Sequence, residues 1–290
     1  MNHAVEVSPA IQFPWTEHWM TPMRVAGFLA DPSSHRLGAS MGVASTPAAL
    51  AGIRAHVVGL PPALLDEDRN GWLSALVDRV LTPAERSDYC NLPPSPRRRL
   101  QWLSGRVAAK EVVRGLLDDL TGGPLDTAAV EIRPDDHGAP QVSVRGRQEL
   151  GRRIHLSIAH TAEVAVAMCS ADVPVRGVGI DVESCKIRRA LERKGLTPLE
   201  RSRLAELPVP VRVETALRLW CAKEAAAKAL GTGLARIGGA QSITVTVLDG
   251  DSSLLRVDVP RSPAGRVRQL IATTRRFGDL IVATVVDVGV

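Results

Sequence analysis

The chain has 290 residues, 45% of them hydrophobic and 23% charged, with a formal net charge of +5. That balance is ordinary for a globular protein and excludes a wholly disordered, collagen-like or coiled-coil chain. At 3% aromatic residues there is little material for a stacking platform on single-stranded nucleic acid, and the positive surplus favours anionic partners such as phosphates and acidic proteins.

In chain order, residues 1–52 are rich in Pro, Gly, Ser and Ala and read as an irregular N-terminal extension around Trp15 and Trp19. Arg54 to Leu60 reads as a strand and Trp72 to Arg79 as a short helix. In Leu81-Thr-Pro-Ala-Glu-Arg-Ser87, Thr82 is a candidate N-cap, Pro83 takes the first helical position and Glu85 closes a capping box. Arg97 to Leu120 is a long amphipathic helix. Strands follow at Thr127 to Arg133, Gln141 to Val144, Ile154 to Ser157 and Ala162 to Ser170. Val178 to Glu183 alternates as a strand. A helix spans Leu217 to Leu230, and strands close the chain at Ser242 to Leu248, Leu254 to Val259, Gln269 to Thr273 and Leu280 to Asp287.

The second half echoes the first. Leu196-Thr-Pro-Leu-Glu-Arg-Ser202 repeats the segment beginning at Leu81, and Trp220 to Lys228 echoes Trp102 to Lys110. Two echoes in the same order imply an α+β fold built as a pseudo-dimer of two similar α/β repeats, 53–175 and 176–290, with the active site at the interface between them. The four cysteines, Cys90, Cys169, Cys185 and Cys221, form no C-x-x-C pair, which argues against a disulfide framework or a zinc site. No apolar run reaches ~18 residues and the first residues lack a basic-then-apolar pattern, so the expectation is a cytoplasmic protein with no membrane partner.

Chemistry concentrates in four places. On the strand at Val178, residues two apart share a face, so Asp181 and Glu183 stand side by side while Val178, Ile180 and Val182 face a core. Adjacent carboxylates repel unless a cation sits between them, and hard oxygen ligands suit Mg²⁺. On the helix, Trp220, Glu224 and Lys228 share a face with Lys223 flanking it, so Glu224 is a candidate third metal ligand and Lys228 a phosphate contact. His160 and Thr161 at a strand end, and the arginines of Pro96 to Arg106, are candidate phosphate ligands.

Together, Gly179-Ile-Asp-Val-Glu183 and Trp220-Cys-Ala-Lys-Glu-Ala-Ala-Ala-Lys228 resemble the paired signature of the 4′-phosphopantetheinyl transferases. The resemblance extends over residues ~55–290 and matches the longer, two-repeat, surfactin-synthetase-activating type, not the short homotrimeric type. It implies transfer of the 4′-phosphopantetheine arm of coenzyme A to a serine of an acyl or peptidyl carrier protein, with Mg²⁺ and release of 3′,5′-ADP. It implies Asp181, Glu183 and Glu224 as metal ligands and Asp181, Glu224 and Lys228 as catalytic residues. Arg98, Arg106, His137, Pro140, His160, Thr161, Lys223 and Lys228 would hold coenzyme A. The base on the serine is Glu224, a water it orients, or a water held by Asp181.

Three departures accompany the match. Ala159 stands where the family often has serine, Ala139 replaces the basic residue of the Gly-x-Pro turn at Gly138, and Glu85 and Asp88 lie near where some relatives carry lysines. The expected partners are apo carrier proteins and coenzyme A, met by a monomer, with Ser184 to Leu207 as a candidate docking segment. A nucleic-acid binder would leave the carboxylates unexplained, and a nucleotide hydrolase would want a Gly-x-x-x-x-Gly-Lys-[Ser/Thr] loop that is missing here.

Overall fold

A computed structural model describes residues 22–24, 53–59, 70–123, 125–171, 174–185, 195–248, 250, 252–260 and 267–288. The N-terminal extension, apart from a short strand β1 (Pro22–Arg24), and the basic stretch 186–194 of the expected docking segment lie outside these residues.

The first half runs β2 (Arg54–Gly59), α1 (Asn70–Val80), α2 (Pro83–Cys90), α3 (Pro96–Thr121), β3 (Val130–Pro134), β4 (Pro140–Val144), α4 (Gln148–Arg152), β5 (His155–His160) and β6 (Val164–Ser170). The second runs β7 (Val175–Ser184), α5 (Pro198–Ala205), α6 (Val209–Ala229), α7 (Gly233–Arg236), β8 (Thr244–Val247), β9 (Leu254–Pro260), β10 (Val267–Phe277) and β11 (Leu280–Val288). The chain is thus α+β, as expected. One antiparallel sheet has the order β1-β2-β6-β5, with β3-β4 as a separate hairpin; the other has the order β7-β11-β10-β9-β8.

Local chemistry explains the boundaries. Thr82 accepts from the Glu85 amide while Glu85 accepts from the Thr82 amide, and Thr197 and Glu200 do the same at α5; both helices begin with proline. Residues 127–129, expected as strand, form a 3-10 turn because Asp126 accepts from the Ala128 amide and curls the chain first. Strand β6 begins at Val164, not Ala162, because the Thr161 hydroxyl accepts from the Glu163 and Val164 amides and closes a turn.

Each sheet carries one long helix. Helix α3 buries Val112, Val113, Leu116 and Leu117 against β5 and β6, and α6 buries Leu217, Cys221, Ala222 and Ala225 against β9, β10 and β11. A third apolar cluster is shared between the halves: Ile53, Ala55, Val166 and Met168 from one, and Val178, Ile180, Val182 and Val282 from the other. Burying such side chains contributes roughly 1.5–3 kcal/mol each, so this seam is a substantial part of the core. The Ile180 amide crosses it to donate to the Ser157 hydroxyl at 3.0 Å. No helix among the described residues is long and apolar enough to cross a membrane.

The register of the echo needs correction. The sequence set Lys110 opposite Lys228; the structure sets it opposite Lys223. Lys110 donates to Glu85 at 2.6 Å and to the Val80 carbonyl at 2.7 Å, and Glu85 also accepts from the Ile132 amide. Lys223 donates to Glu200 at 2.6 Å and to the Gly195 carbonyl at 3.0 Å, and Glu200 also accepts from the Val245 amide. The repeated Trp and Lys letters misled, because Trp102 and Trp220 do not correspond.

Candidate active site at the strand β7 and helix α6 crossing

Strand β7 meets α6 across two glycines. A Cβ on Gly177 would stand 1.9 Å from the Ala229 carbonyl oxygen, and one on Gly179 would stand 1.8 Å from that of Ala225. Only glycine permits this approach, which brings the strand carboxylates under the last turns of the helix. From Cys221 to Ala229 every residue is buried except Glu224 and Lys228.

Lys228 donates to Asp181 Oδ1 at 2.7 Å and to the Ile180 carbonyl at 3.2 Å. Asp181 Oδ2 is buried with no hydrogen-bond partner. Glu183 Oε1 accepts from the Trp220 indole N–H at 2.9 Å. Glu224 is half-buried and has no hydrogen-bond or ion-pair partner among the described residues.

The electrostatics ties these groups together. Burial raises the pKa of Asp181, opposed by Lys228. Burial also raises Glu183 and Glu224, and in both the charge of Asp181 adds to the shift. Desolvation pushes the His160 imidazole below its ordinary value, and Lys228 adds to this while Asp181 opposes it. His160 ends β5 of the first half, so a side chain from across the seam shares the field of Lys228 and Asp181. The buried Cys221 thiol lies against Asp181 and is raised by burial and then by that charge.

A metal fits this donor set in part. Three carboxylates of raised pKa and one orphaned buried oxygen are what a hard divalent cation neutralises. As placed, however, the positive charge against Asp181 is Lys228, and no group of three His, Cys, Asp or Glu side chains among the described residues is arranged to hold a metal ion.

The remaining expected ligands are spread over the first half. Arg106 stacks on the Trp102 ring at 4.5 Å, its buried Nε has no partner, and burial lowers its pKa against the pull of Glu85 and Asp88. Arg98 is exposed on the first turn of α3. The carbonyl of Thr161 accepts from Gln101, which fastens α3 to the end of β5. Thr161 itself is buried, its hydroxyl oxygen taken by the turn. His137 and Pro140 belong to the β3-β4 hairpin, whose turn is held by the Asp135 carboxylate accepting from the His137 and Ala139 amides. No hydrogen bond or ion pair among the described residues joins that hairpin turn to the β7–α6 carboxylates.

Lys223 is a correction. It is fully buried, and its ammonium is enclosed by Glu200, Gly195 and Ala240, with no face left for coenzyme A. Its neighbour Glu224 points the other way, because successive helix residues are turned about 100° apart. Glu85, expected near a phosphate position, is the matching buried partner of Lys110, and Asp88 pairs with Arg133.

The family model of the 4′-phosphopantetheinyl transferase superfamily matches residues 177–284, which holds the whole β7–α6 crossing. The holo-[acyl-carrier-protein] synthase of Geobacillus kaustophilus is 39% identical over 90 residues, 31% of this chain and 66% of the relative. That of Geobacillus sp. strain WCH70 is 35% identical over 91 residues, 31% of this chain and 72% of the relative. Among solved structures, a holo-(acyl-carrier-protein) synthase from Bacillus anthracis aligns with TM-score 0.31 and 28% identity, over 41% of this chain and 92% of that one. A holo-[acyl-carrier-protein] synthase from Neisseria meningitidis aligns with TM-score 0.34 and 22% identity, over 42% and 97%.

Proposed function

This chain belongs to the 4′-phosphopantetheinyl transferase superfamily, and from that premise we propose that it moves the 4′-phosphopantetheine arm of coenzyme A onto a serine of an acyl or peptidyl carrier protein. The reaction releases 3′,5′-ADP, and a single cytoplasmic chain acts as a pseudo-dimer of residues 53–175 and 176–290. The observation that carries this reading is the crossing of β7 and α6, where Asp181, Glu183 and Glu224 share one field beside Lys228 and His160.

Phosphoryl transfer asks the protein mainly for positioning and charge stabilisation. The serine oxygen forms a bond to the phosphorus that carries the pantetheine arm, the bond from that phosphorus to the 3′,5′-ADP oxygen breaks, and the serine proton leaves to a base. Glu224 is the base in this scheme: burial and the charge of Asp181 raise its proton affinity, and it has no competing partner among the described residues. Lys228 lends its positive charge to the departing phosphate. His160 and Arg106 hold phosphates of coenzyme A from the first half, and Arg98, His137, Pro140 and Thr161 are further contacts of this scheme. Asp181, Glu183 and Glu224 would hold Mg²⁺, which when bound draws charge from the pyrophosphate.

The test is direct. Incubation with an apo carrier protein, coenzyme A and Mg²⁺ should raise the intact mass of the carrier by one phosphopantetheine arm. An unchanged mass across several apo carriers would sink this assignment.

A further inference from the structure

Resting on the transferase reading, we propose that Trp220 is a positioning residue that fixes the Glu183 carboxylate for the divalent cation. The indole N–H is a donor only, so it engages Glu183 through an acceptor oxygen, at 2.9 Å, and leaves Oε2 as the oxygen free to face a cation. The indole is itself seated. A Cβ on Gly195 would stand 2.4 Å from ring atom Cε3, so the ring lies directly on bare backbone.

That backbone is in turn anchored. The Gly195 carbonyl accepts from Lys223, whose ammonium is held by Glu200 at 2.6 Å and by the Ala240 carbonyl at 3.1 Å. Glu200 is locked in the capping box of α5. A line of contacts therefore runs from a buried helix cap to a carboxylate at the surface of the site. The lysine and tryptophan of the helix motif act along this line and not on coenzyme A. Outer partners that orient a metal ligand are worth 10–100-fold in metal affinity.

Trp220→Phe removes the N–H and also the outer ring atoms over Gly195, whereas 3-benzothienylalanine at position 220 keeps the bicyclic ring and its seat and removes only the N–H. In the full chain with that replacement and without carrier protein, Mn²⁺ binding followed by electron paramagnetic resonance should weaken about 10–100-fold, with thermal unfolding close to that of the parent. Gly195→Ala keeps the N–H but lifts the ring, and should weaken Mn²⁺ binding in the same direction; it decides the matter should the variants at position 220 fail to fold. A tryptophan that only stabilises the fold would lower the unfolding temperature and leave Mn²⁺ affinity at the parent value, which overturns the proposal. A parent protein that binds Mn²⁺ but transfers no arm overturns the transferase reading alone, and the comparison of variants still decides the role of Trp220. A parent protein that binds no Mn²⁺ overturns the role of Trp220 alone, and the carrier-mass measurement still decides the transferase reading.

Discussion

Lys110 and Lys223 stand at matching places in the two halves, each fully enclosed and each 2.6 Å from the glutamate that closes a helix cap. Burial lowers both ammonium pKa values, and the partner glutamate restores part of the charge preference. Desolvating two charges offsets most of their attraction, so each pair adds little net stability while fixing where the helix cap meets the long helix.

Lys223→Met leaves Glu200 buried without a counter-charge and should cost about 3–5 kcal/mol of stability, as should Lys110→Met in the other half. Denaturant unfolding measures both. If Lys223→Met unfolds like the parent but raises the KM for coenzyme A, the lysine belongs in the nucleotide site after all.

Asp181→Asn and Glu224→Gln are near-isosteric and should leave the fold intact while lowering kcat/KM for arm transfer roughly 10²-fold or more, the scale of one preorganised charge. Chelation of divalent ions by EDTA should abolish transfer by the parent protein. Transfer that survives either variant at parent rates would remove that carboxylate from the metal and base assignments.

Gly179→Ala drives a methyl group into the Ala225 carbonyl, and neither partner is a side chain that can turn aside. The expected cost is about 1–3 kcal/mol, with transfer falling further than stability because α6 carries Glu224 and Lys228. Thermal unfolding and single-turnover rates, measured together, separate the two losses.

Arg106→Ala removes a guanidinium stacked on Trp102 and should raise the KM for coenzyme A more than it lowers kcat. A fall in kcat at unchanged KM would mean that Arg106 acts only in the transition state.

The amides of His137 and then Ala139 hold the Asp135 carboxyl below the ordinary carboxylate range. A depressed carboxyl stabilises the folded turn above its unfolded pKa, and that contribution is lost as pH falls through the folded value. The amide resonances of His137 and Ala139 should therefore shift at lower pH than a free aspartate titrates. A midpoint at the free-aspartate value would show that the turn does not hold the carboxylate.

What was legible in the chain was what local rules govern. Thr82 announced its capping box, which the repeated segment at Leu196 shares, and the alternation from Val178 to Glu183 correctly assigned one face to carboxylates and the other to a core. The role of Lys223 was not legible, because a lysine beside a functional glutamate looks the same whether it faces a ligand or a buried partner. Only Glu200, far away in sequence, decides it. Gly177 and Gly195 were missed for a similar reason: a glycine's purpose lies in what approaches it, and Ala229 and Trp220 arrive through the tertiary fold. The one usable signal was the recurrence of Ala-Lys-Glu at 109–111 and 222–224, which fixes the correct register of the halves.

The seam at Ser157 and Ile180 covers an apolar face of each half with the other. A fragment cut to the second half alone would bare Val178, Ile180 and Val182 to water, and would either precipitate or cover that stripe with another copy of itself. Permanent attachment of the first half supplies the covering surface in cis, so it need not be recruited at each encounter, and its concentration is independent of how much protein the cell makes.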